Sequence, residues 1–507
     1  MIAFPGVLEV SKLNRECAEY SRYAAHWDIL DALAKGGVDI KESIQRILIK
    51  RPKELTDVYQ QRAKGATYQN ILGTVIGWYT TKLFVAQPEI QILPEQLDGF
   101  WPEFLQDCTR SGISFVNFWR DVLQDLILFK CSYVLSDLPR AEMDVMDRAQ
   151  EMEAALDRPY LVRYSPRQVI NCECDDYGNL EWILIRCTEQ MPPNPFTDKP
   201  GGIEQTWYYF DKMQYAVYSS EEDSGRSENA MATLEGSGLH ALAAFGRVPV
   251  RRVHVPDMLW LGNRAYLQLL DHFNQENSYA WALFMANLAM PVITGPYESQ
   301  TTTLSEAGFL HLPDTDSKFG WTEPEGKTFV HSAERLAYLR EELYRTFYLQ
   351  SQGRSSSASA SAASGYSKEL DMAPSHDVLN AFADLLQQAA QNQLVDVADA
   401  RGEALTVDVR WPTFEVKPFT DVVIGAQAIK DLDIQSSTLD KEMQKRVARA
   451  GLADANPELI QQVESEIDKA PTREEQQAAQ ATQQTQTFMT SLDRAMGNQL
   501  AQNEVAA

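Results

Sequence analysis

Residues 263–290 read NRAYLQLLDHFNQENSYAWALFMANLAM, and the spacing of the large side chains in that run decides how the rest of the chain divides. Tyr266, Leu270, Phe273, Trp281, Phe284 and Leu288 recur by threes, fours and one double step, which lines them along one side of an α-helix. Gly262 stands before the run and Pro291 after it, so the pattern predicts one helix from Asn263 to about Met290, roughly 40 Å long at 1.5 Å per residue. A polar insert containing Gly and Pro, Val292 to Phe329, separates it from a second helix, His331 to Gln350, with Leu336, Leu339, Leu343 and Phe347 on one face. The motif is therefore helix, small β-type insert, helix.

Working toward the C-terminus, residues 351–367 contain SSSASASAASG, with almost no side chain large enough to pack. A helix resumes at once, with Leu379, Phe382, Leu386 and Ala390 in register, and runs to about Ala400 before Gly402. Helical hairpins need only a few connecting residues, so a longer small-residue tract between two strong helices reads as a functional loop rather than a domain linker. Strand character returns at 405–411 and 414–416. Short amphipathic helices follow from Asp421 to Lys469, and then a Gln-, Ala- and Thr-rich tail from Ala470.

Toward the N-terminus, Ser11 to Leu156 is mainly helical, as in Ile44, Ile47, Leu48 and in Phe115, Phe118, Trp119, Val122, with Pro88, Pro94, Pro102 and Pro139 as punctuation. Ala141 to Leu156 reads as a solvated acidic helix. Beyond Pro159 the period becomes two, predicting strands at 160–164, 169–172, 182–186, 206–210 and 215–218, with a turn at Asp176-Tyr177-Gly178-Asn179 and a break at Pro192 to Pro195. Ser219 to Leu239, rich in Ser, Glu and Gly, is expected as a long surface loop.

The chain has 507 residues, 44% of them hydrophobic and 10% aromatic, a globular composition long enough for about three domains. No run approaches the eighteen or so apolar residues of a membrane span, and Met1 to Val10 does not have the form of a secretory signal. A net charge of −25 argues against a surface that clings to nucleic acid, since phosphate contacts require Lys and Arg. It is compatible with letting a duplex slide past, or simply with solubility. Cys17, Cys108, Cys131, Cys172, Cys174 and Cys187 have no paired CxxC spacing and read as reduced thiols. Cys172-Glu173-Cys174 lies in a strand-like run and is expected in sheet core rather than at a metal.

An enzyme needs a constellation of groups, and GxSxG, HExxH and GxGxxG are missing from the sequence. Gly320 to Thr328, GWTEPEGKT, approaches a phosphate-binding loop, but with one residue too many between its glycines. Two glutamates and a proline would also stand where N–H groups must face phosphate, so a turn between strands is expected there. The seven histidines are dispersed singly. Adjacent acids such as Glu341-Glu342 and Asp175-Asp176 suit a solvated face or a turn better than acid–base catalysis. No fixed-period repeat stands out.

The order of these parts resembles the portal proteins of tailed bacteriophages over most of the chain. The resemblance is carried by Val253-His254-Val255-Pro256 leading into the 263–290 helix and its exit Met290-Pro291-Val292-Ile293-Thr294-Gly295. It is carried also by the tract 362–370, AASGYSKEL, opening a helix, and by 164–170, YSPRQVI, followed by Asp176-Tyr177-Gly178 and a β run. The resemblance implies an α+β portal-like fold: a helical and β wing (1–255), first stem helix (256–291), small α/β clip (292–330) and second stem helix (331–350). A channel loop (351–367), a long helix with returning wing strands (368–420) and a helical C-terminal crown (421–507) would follow. It further implies a homo-oligomeric, commonly dodecameric ring at one capsid vertex of the virion, made in the host cytoplasm, through which double-stranded DNA is packaged and ejected. Partners would be the terminase large subunit, head–tail adaptor and tail proteins, and the major capsid and scaffolding proteins, with no membrane.

No catalytic residue, cofactor or metal is implied, the packaging ATPase being a separate protein. Glu298, Glu306, Asp314, Asp316, Glu323 and Glu325 would face the motor or adaptor, and Arg354, Ser355, Ser359, Ser364 and Lys368 would border the DNA. Arg335, Arg340 and Arg345, spaced by five, fall on different sides of the second stem helix, where pairing with acids such as Glu341 competes with any contact to phosphate. Another head–tail structural protein and an unrecognised hydrolase are the competing readings.

Overall fold

The computed structural model describes residues 2–85, 87–93, 99–139, 158–192, 196, 202–221, 230–286, 290–294, 318–322, 327–349, 365–412, 414, 419–432, 436–451 and 457–470. The chain is mixed α+β and divides into two units, Met1–Phe414 and Glu415–Ala507. The first unit begins with β1 (Val7–Glu9), α1 (Val10–Leu13), α2 (Ala18–Lys35), α3 (Gly37–Glu42), α4 (Ile44–Ile47), α5 (Thr56–Lys64), α6 (Ile71–Leu83), β2 (Glu89–Leu93), α7 (Phe100–Gln106) and α8 (Phe115–Phe129). Strands follow: β3 (Cys131–Asp137), β4 (Tyr160–Tyr164), β5 (Val169–Cys174), β6 (Leu180–Met191), β7 (Gly202–Asp211), β8 (Gln214–Glu221), β9 (Met231–Leu239) and β10 (Val250–His254). Then come α9 (Leu261–Ala286), β11 (Met290–Thr294), β12 (Lys318–Thr322), α10 (Lys327–Thr346), α11 (Gly365–Arg401) and β13 (Thr406–Arg410).

The core is organised around α8. Ser114 caps it by accepting the N–H of Asn117 at 3.4 Å. Phe115, Phe118, Trp119, Val122, Leu123, Leu126 and Ile127 are all buried, and Asn117, Arg120, Asp121 and Gln124 form the stripe left partly in solvent. α2, α6, α7, α9 and α11 pack against the helix. Lys130 ends it in the left-handed region at φ 74°, donating its N–H to Leu126 O at 3.2 Å. The chain passes straight into β3, whose seven residues are all buried. β3 is the centre of a three-stranded antiparallel sheet, β10-β3-β4, with Arg252 opposite Tyr133 and Tyr133 opposite Tyr164.

A second, six-stranded sheet has the order β1-β9-β8-β7-β6-β5, all antiparallel. Its β5–β6 turn closes as the dipeptide chemistry predicts: Asp175 Oδ1 accepts the N–H groups of Tyr177 (2.9 Å) and Asn179 (2.8 Å), and Gly178 supplies φ 86°. The helical layer and one face of this sheet share one apolar cluster, and a smaller cluster around Ile183, Ile185, Phe210 and Tyr133 fills the space between the two sheets. Cys172 and Cys174 lie half-buried against that smaller cluster, as the strand reading expected. Far in sequence, β13 pairs with β2, Val409 opposite Ile90 and Val407 opposite Ile92.

The second unit contains α12 (Phe419–Asp431), α13 (Ser437–Gly451) and α14 (Pro457–Lys469). α13 packs on both others; Lys445 pairs with Asp468 at 2.7 Å and Arg449 with Glu464. These are the short amphipathic helices expected at 421–469.

Several expectations are corrected. Residues 231–239 are strand β9, not loop, because Ala232 and Leu234 turn inward and β8 supplies the backbone partners that a Gly- and Ser-rich sequence conceals. The run 131–137 is a strand inside the region read as helical, and its continuous burial removes the alternation by which a strand is recognised. Pro102 does not separate helices; it sits in the first turn of α7, where its missing N–H costs nothing. Met290 belongs to strand β11 rather than to the end of α9, and Gly262 lies inside α9. Gly365 to Ser367, assigned to a loop, already belong to α11. The 141–156 segment and the tail beyond 470 lie outside the described residues.

Candidate functional site: a helical hairpin joined to a β ribbon

The base of α9 is fixed before the helix begins. The indole of Trp260 is buried and donates from Nε1 to Leu128 O at 2.8 Å. At Gly262 a Cβ would come 3.0 Å from Ile127 O and 3.1 Å from Leu128 O, so only glycine lets the two backbones approach this closely. Leu261, Ala265, Leu269 and Phe273 bury the inner face. Further along, two asparagines grip the N-terminal helical region. Asn274 accepts from Ile49 N (2.8 Å) and donates to Ile47 O (3.0 Å), and Asn277 accepts from Thr67 N (2.9 Å) and donates to Thr67 O (3.0 Å). Sequence reading passed over both. Their signal is a pair of short amides three residues apart beside an otherwise apolar face.

α10 packs on α9 through Leu339, Leu343 and Phe347, all buried. Thr346 Oγ1 donates to Gln268 Oε1 at 2.8 Å, Arg264 bonds to the Tyr348 hydroxyl, and Tyr79 donates its hydroxyl to Phe347 O at 2.7 Å. Between the helices the strands β11 and β12 form an antiparallel ribbon, Met290 opposite Thr322 and Thr294 opposite Lys318. Leu267 is 75% exposed, and Phe284, Val330 and Tyr338 are also largely in solvent. The hairpin thus has a polar-clasped, buried base and large apolar side chains left uncovered along it.

His272 is buried on α9, and burial, followed by the Arg340 guanidinium, pulls its pKa down. Burial pushes the neighbouring Glu276 carboxyl up, although hydrogen bonds from Gln69 oppose this. His272 Nδ1 lies 3.8 Å from Glu276 Oε2, beyond hydrogen-bonding range, and that oxygen has no hydrogen-bond partner among the described residues.

The acids Glu298, Glu306, Asp314, Asp316, Glu323 and Glu325 lie outside the described residues, as do Arg354, Ser355, Ser359 and Ser364; Lys368 falls in the first turns of α11. The three stem arginines are exposed. Arg335 pairs with Asp271 across the hairpin at 3.8 Å and stacks on Tyr338, and Arg345 pairs with Glu342 at 2.7 Å rather than with Glu341. The near-P-loop 320–328 runs from strand β12 to helix α10, not between two strands, and β12 belongs to a two-stranded antiparallel ribbon.

A separate cavity of about 620 Å³ opens between β10, the β5–β6 turn and α11. Its cations are already matched: Arg251 and Arg247 with Asp396, Arg247 also with Asp399, Lys212 with Glu181, and Arg252 with Glu19. The pairs of Arg251 with Asp396 and Arg252 with Glu19 tie β10 to α11 and α2. Among the described residues no group of three His, Cys, Asp or Glu side chains could hold a metal ion, and no helix is long and apolar enough to cross a membrane.

Fold and site together define an α+β chain built around a helix–ribbon–helix hairpin. No protein-family model matches it, and no curated protein matches it. Among solved structures it is similar to a chain from the neck of an empty gene transfer agent particle computed with C6 symmetry, at 10% identity and TM-score 0.36, covering 78% of this chain and 95% of that one. It is similar also to a chain of the virion of a native gene transfer agent particle, at 10% identity and TM-score 0.32, covering 79% and 97%. Overlap this loose transfers no role.

Proposed function

We propose that this chain is a portal subunit, a head–tail structural protein whose copies form a ring at one capsid vertex of a phage-like virion. DNA would pass through the ring during packaging and ejection, and the chain itself would carry out no catalytic step. The observation that supports this reading is the hairpin: two long helices joined by a small β ribbon, followed after the 351–364 tract by the 37-residue helix α11. That succession supports reading these parts as stem, clip, stem and channel-side helix. The uncovered Leu267, Phe284, Val330 and Tyr338 add to it, because large apolar groups in solvent along a packed hairpin suit burial by neighbouring copies in a closed ring. The terminase and the adaptor would dock on the clip, and DNA would pass the 351–367 loop.

Negative-stain microscopy of the purified full chain tests the proposal. Rings with a central hole wide enough for a duplex are the expected result. A differently shaped assembly would assign the chain to another head–tail role, and a stable monomer at micromolar concentration would remove the ring reading.

A further inference from the structure

β10 is an outer strand of the three-stranded sheet, and its two edges differ. On the inner edge Ser136 donates its N–H to Pro249 O, and Val255 donates its N–H to Lys130 O, each at 2.9 Å. Residues bonded to the neighbouring strand alternate in an antiparallel ladder. Pro249, Arg251, Val253 and Val255 therefore face β3, and Val250, Arg252 and His254 turn their N–H and C=O groups the other way. Among the described residues none of those outward groups has a hydrogen-bond partner. The cavity of about 620 Å³ opens along this free edge: all five residues of β10 line it, with α11 as one wall and the β5–β6 turn as the other. Five residues at about 3.4 Å each make an open edge of about 17 Å.

We infer that this groove is a strand-addition site: a partner protein inserts an extended segment of alternating acidic and small apolar residues, which pairs antiparallel with the outer edge of β10. The inference is independent of the portal reading.

The walls decide what the segment carries, because side chains of an added strand point alternately to one wall and the other. On the side of the six-stranded sheet, Val250 is buried in the smaller cluster, Arg252 lies over the Tyr133 ring at 5.9 Å, and Lys212 lines the groove beside them. On the other side Arg251 pairs with Asp396 of α11, and Leu385 and Ala389 of that helix are apolar and half-buried. Of the acids that pair with Lys212, Arg247, Arg251 and Arg252, only Asp396 lines the groove, and Asp175 is the other carboxylate there. Four cations thus face two carboxylates, on a chain whose net charge is −25. Lys212 and Arg247 stay partly in water with N–H donors to spare, so carboxylates on the incoming strand gain charge-assisted hydrogen bonds. Residues opposite Val250, Arg252 and His254 are therefore acidic, and those facing Leu385 and Ala389 are small and apolar.

The edge is formed before a partner arrives. Val250 and Val253 are buried on opposite faces of β10, and the Arg251–Asp396 and Arg252–Glu19 pairs brace the strand from both sides. Binding then orders only the incoming segment, which limits its entropic cost. Backbone bonds to the edge supply affinity whatever the side chains, and the walls supply the choice of sequence. The same walls select the source of the strand. The edge of a folded sheet, as in a second copy of this chain, brings neighbouring strands that the two walls exclude, whereas a single extended segment brings none.

The test titrates the purified full chain into a fluorescein-labelled peptide of alternating Glu and Val, read by fluorescence anisotropy, and follows hydrogen exchange of the complex by mass spectrometry. The expected result is saturable binding with slower exchange in fragments covering 250–254. N-methylation of the Glu residues, whose N–H groups point at β10, should weaken binding tenfold or more, whereas N-methylation of the Val residues should change it less than threefold. A peptide of alternating Lys and Val should bind at least tenfold more weakly. His254→Pro removes an outward N–H and no bond to β3, so it should weaken binding tenfold with the circular dichroism unchanged. Absence of binding, equal binding of the Lys peptide or of the Glu-methylated peptide, or binding without protection at 250–254 would each overturn the proposal. Protection of 250–254 that rises with protein concentration in the chain alone would give the edge to a second copy and overturn it too. The peptide series uses the unsubstituted chain, so it decides even where His254→Pro fails to fold.

Discussion

Two glycines four residues apart on α6 should respond to alanine in opposite directions. At Gly73 a Cβ would stand 2.5 Å from the Ala34 carbonyl oxygen near the end of α2, and 2.6–2.7 Å from the Asn70 side chain that caps α6. Asn70 is not free to give way: it accepts the Gly73 N–H at 2.7 Å and donates to Ala34 O at 2.8 Å. Gly77 lies on the exposed side of the same helix with nothing within 4 Å of the added carbon. Alanine favours a helix interior over glycine by about 0.8–1.0 kcal/mol, so Gly77→Ala should stabilise by roughly that amount. Gly73→Ala receives less of this benefit in the first turn. It must also push the α2 and α6 backbones apart or break the cap, at a cost of about 1–3 kcal/mol for overpacking and about 1 kcal/mol for a lost cap. The two variants should therefore differ by about 3 kcal/mol. Urea unfolding followed by circular dichroism, at one protein concentration so that assembly does not shift the midpoint, measures this difference. Equal midpoints for the two variants would show that α6 does not approach α2 as described.

Three further outcomes follow from buried charge and exposed apolar surface. The Arg62 hydrogen bonds hold the Glu54 carboxyl down to about 2, from an ordinary 4.5, and both side chains are nearly inaccessible. A depressed carboxylate stabilises the fold above pH 4.5 and loses that contribution as pH falls toward 2. Glu54→Gln should accordingly cost about 3 kcal/mol at neutral pH, the range for breaking a buried pair, with the gap to the parent narrowing below pH 4.5; a pH-independent gap would refute this. Glu276 has the opposite sign: its folded pKa is raised, so its contribution is full below 4.5 and is lost as pH rises through the folded value. Glu276→Gln should gain on the parent in thermal melts as pH rises above 4.5, and an advantage that shrinks as pH rises would contradict the reading. Leu267→Glu with Val330→Glu should leave the helical content unchanged but reduce assembly by about tenfold or more in sedimentation, as charge at an apolar contact costs over 1.4 kcal/mol; undisturbed assembly would exclude that surface.

The parts of the fold legible in the sequence are those whose burial is one-sided. α9 and α10 announce themselves because Phe273, Leu339, Leu343 and Phe347 share a face while their neighbours stay polar, and β4 because Leu161 turns inward between partly exposed residues. The period vanishes where an element is covered on every side or built from small side chains. β3 has seven consecutive buried residues, so nothing alternates; β9 carries Gly236 and Gly238, which hide the pattern that Ala232 and Leu234 begin. Partners distant in the chain are invisible for another reason. The pairing of β13 with β2, and of the Cys17 N–H with Ile170 O, is fixed by the layers stacked between them and by no local spacing. The loop and clip side chains named as candidate site residues fall outside the described positions apart from Lys368, so what is legible of the candidate site is its frame.

That frame has its own mechanical logic. Near its start, α9 is held by backbone contact at Gly262, by the Trp260 indole on Leu128, and further along by Asn274 and Asn277 on the N-terminal loops. Each of these contacts is directional and short-range, so together they set the angle at which the helix leaves the core, where apolar packing alone would allow it to roll. α10 is tied at the matching level by Thr346, Phe347 and Tyr348. Toward the ribbon, among the described residues, Arg335 pairs with Asp271 at 3.8 Å, a contact half in water and worth little by itself, and Tyr279 meets Phe329 edge to face. A hairpin whose base is fixed by directional bonds sets the direction in which its ribbon leaves the core.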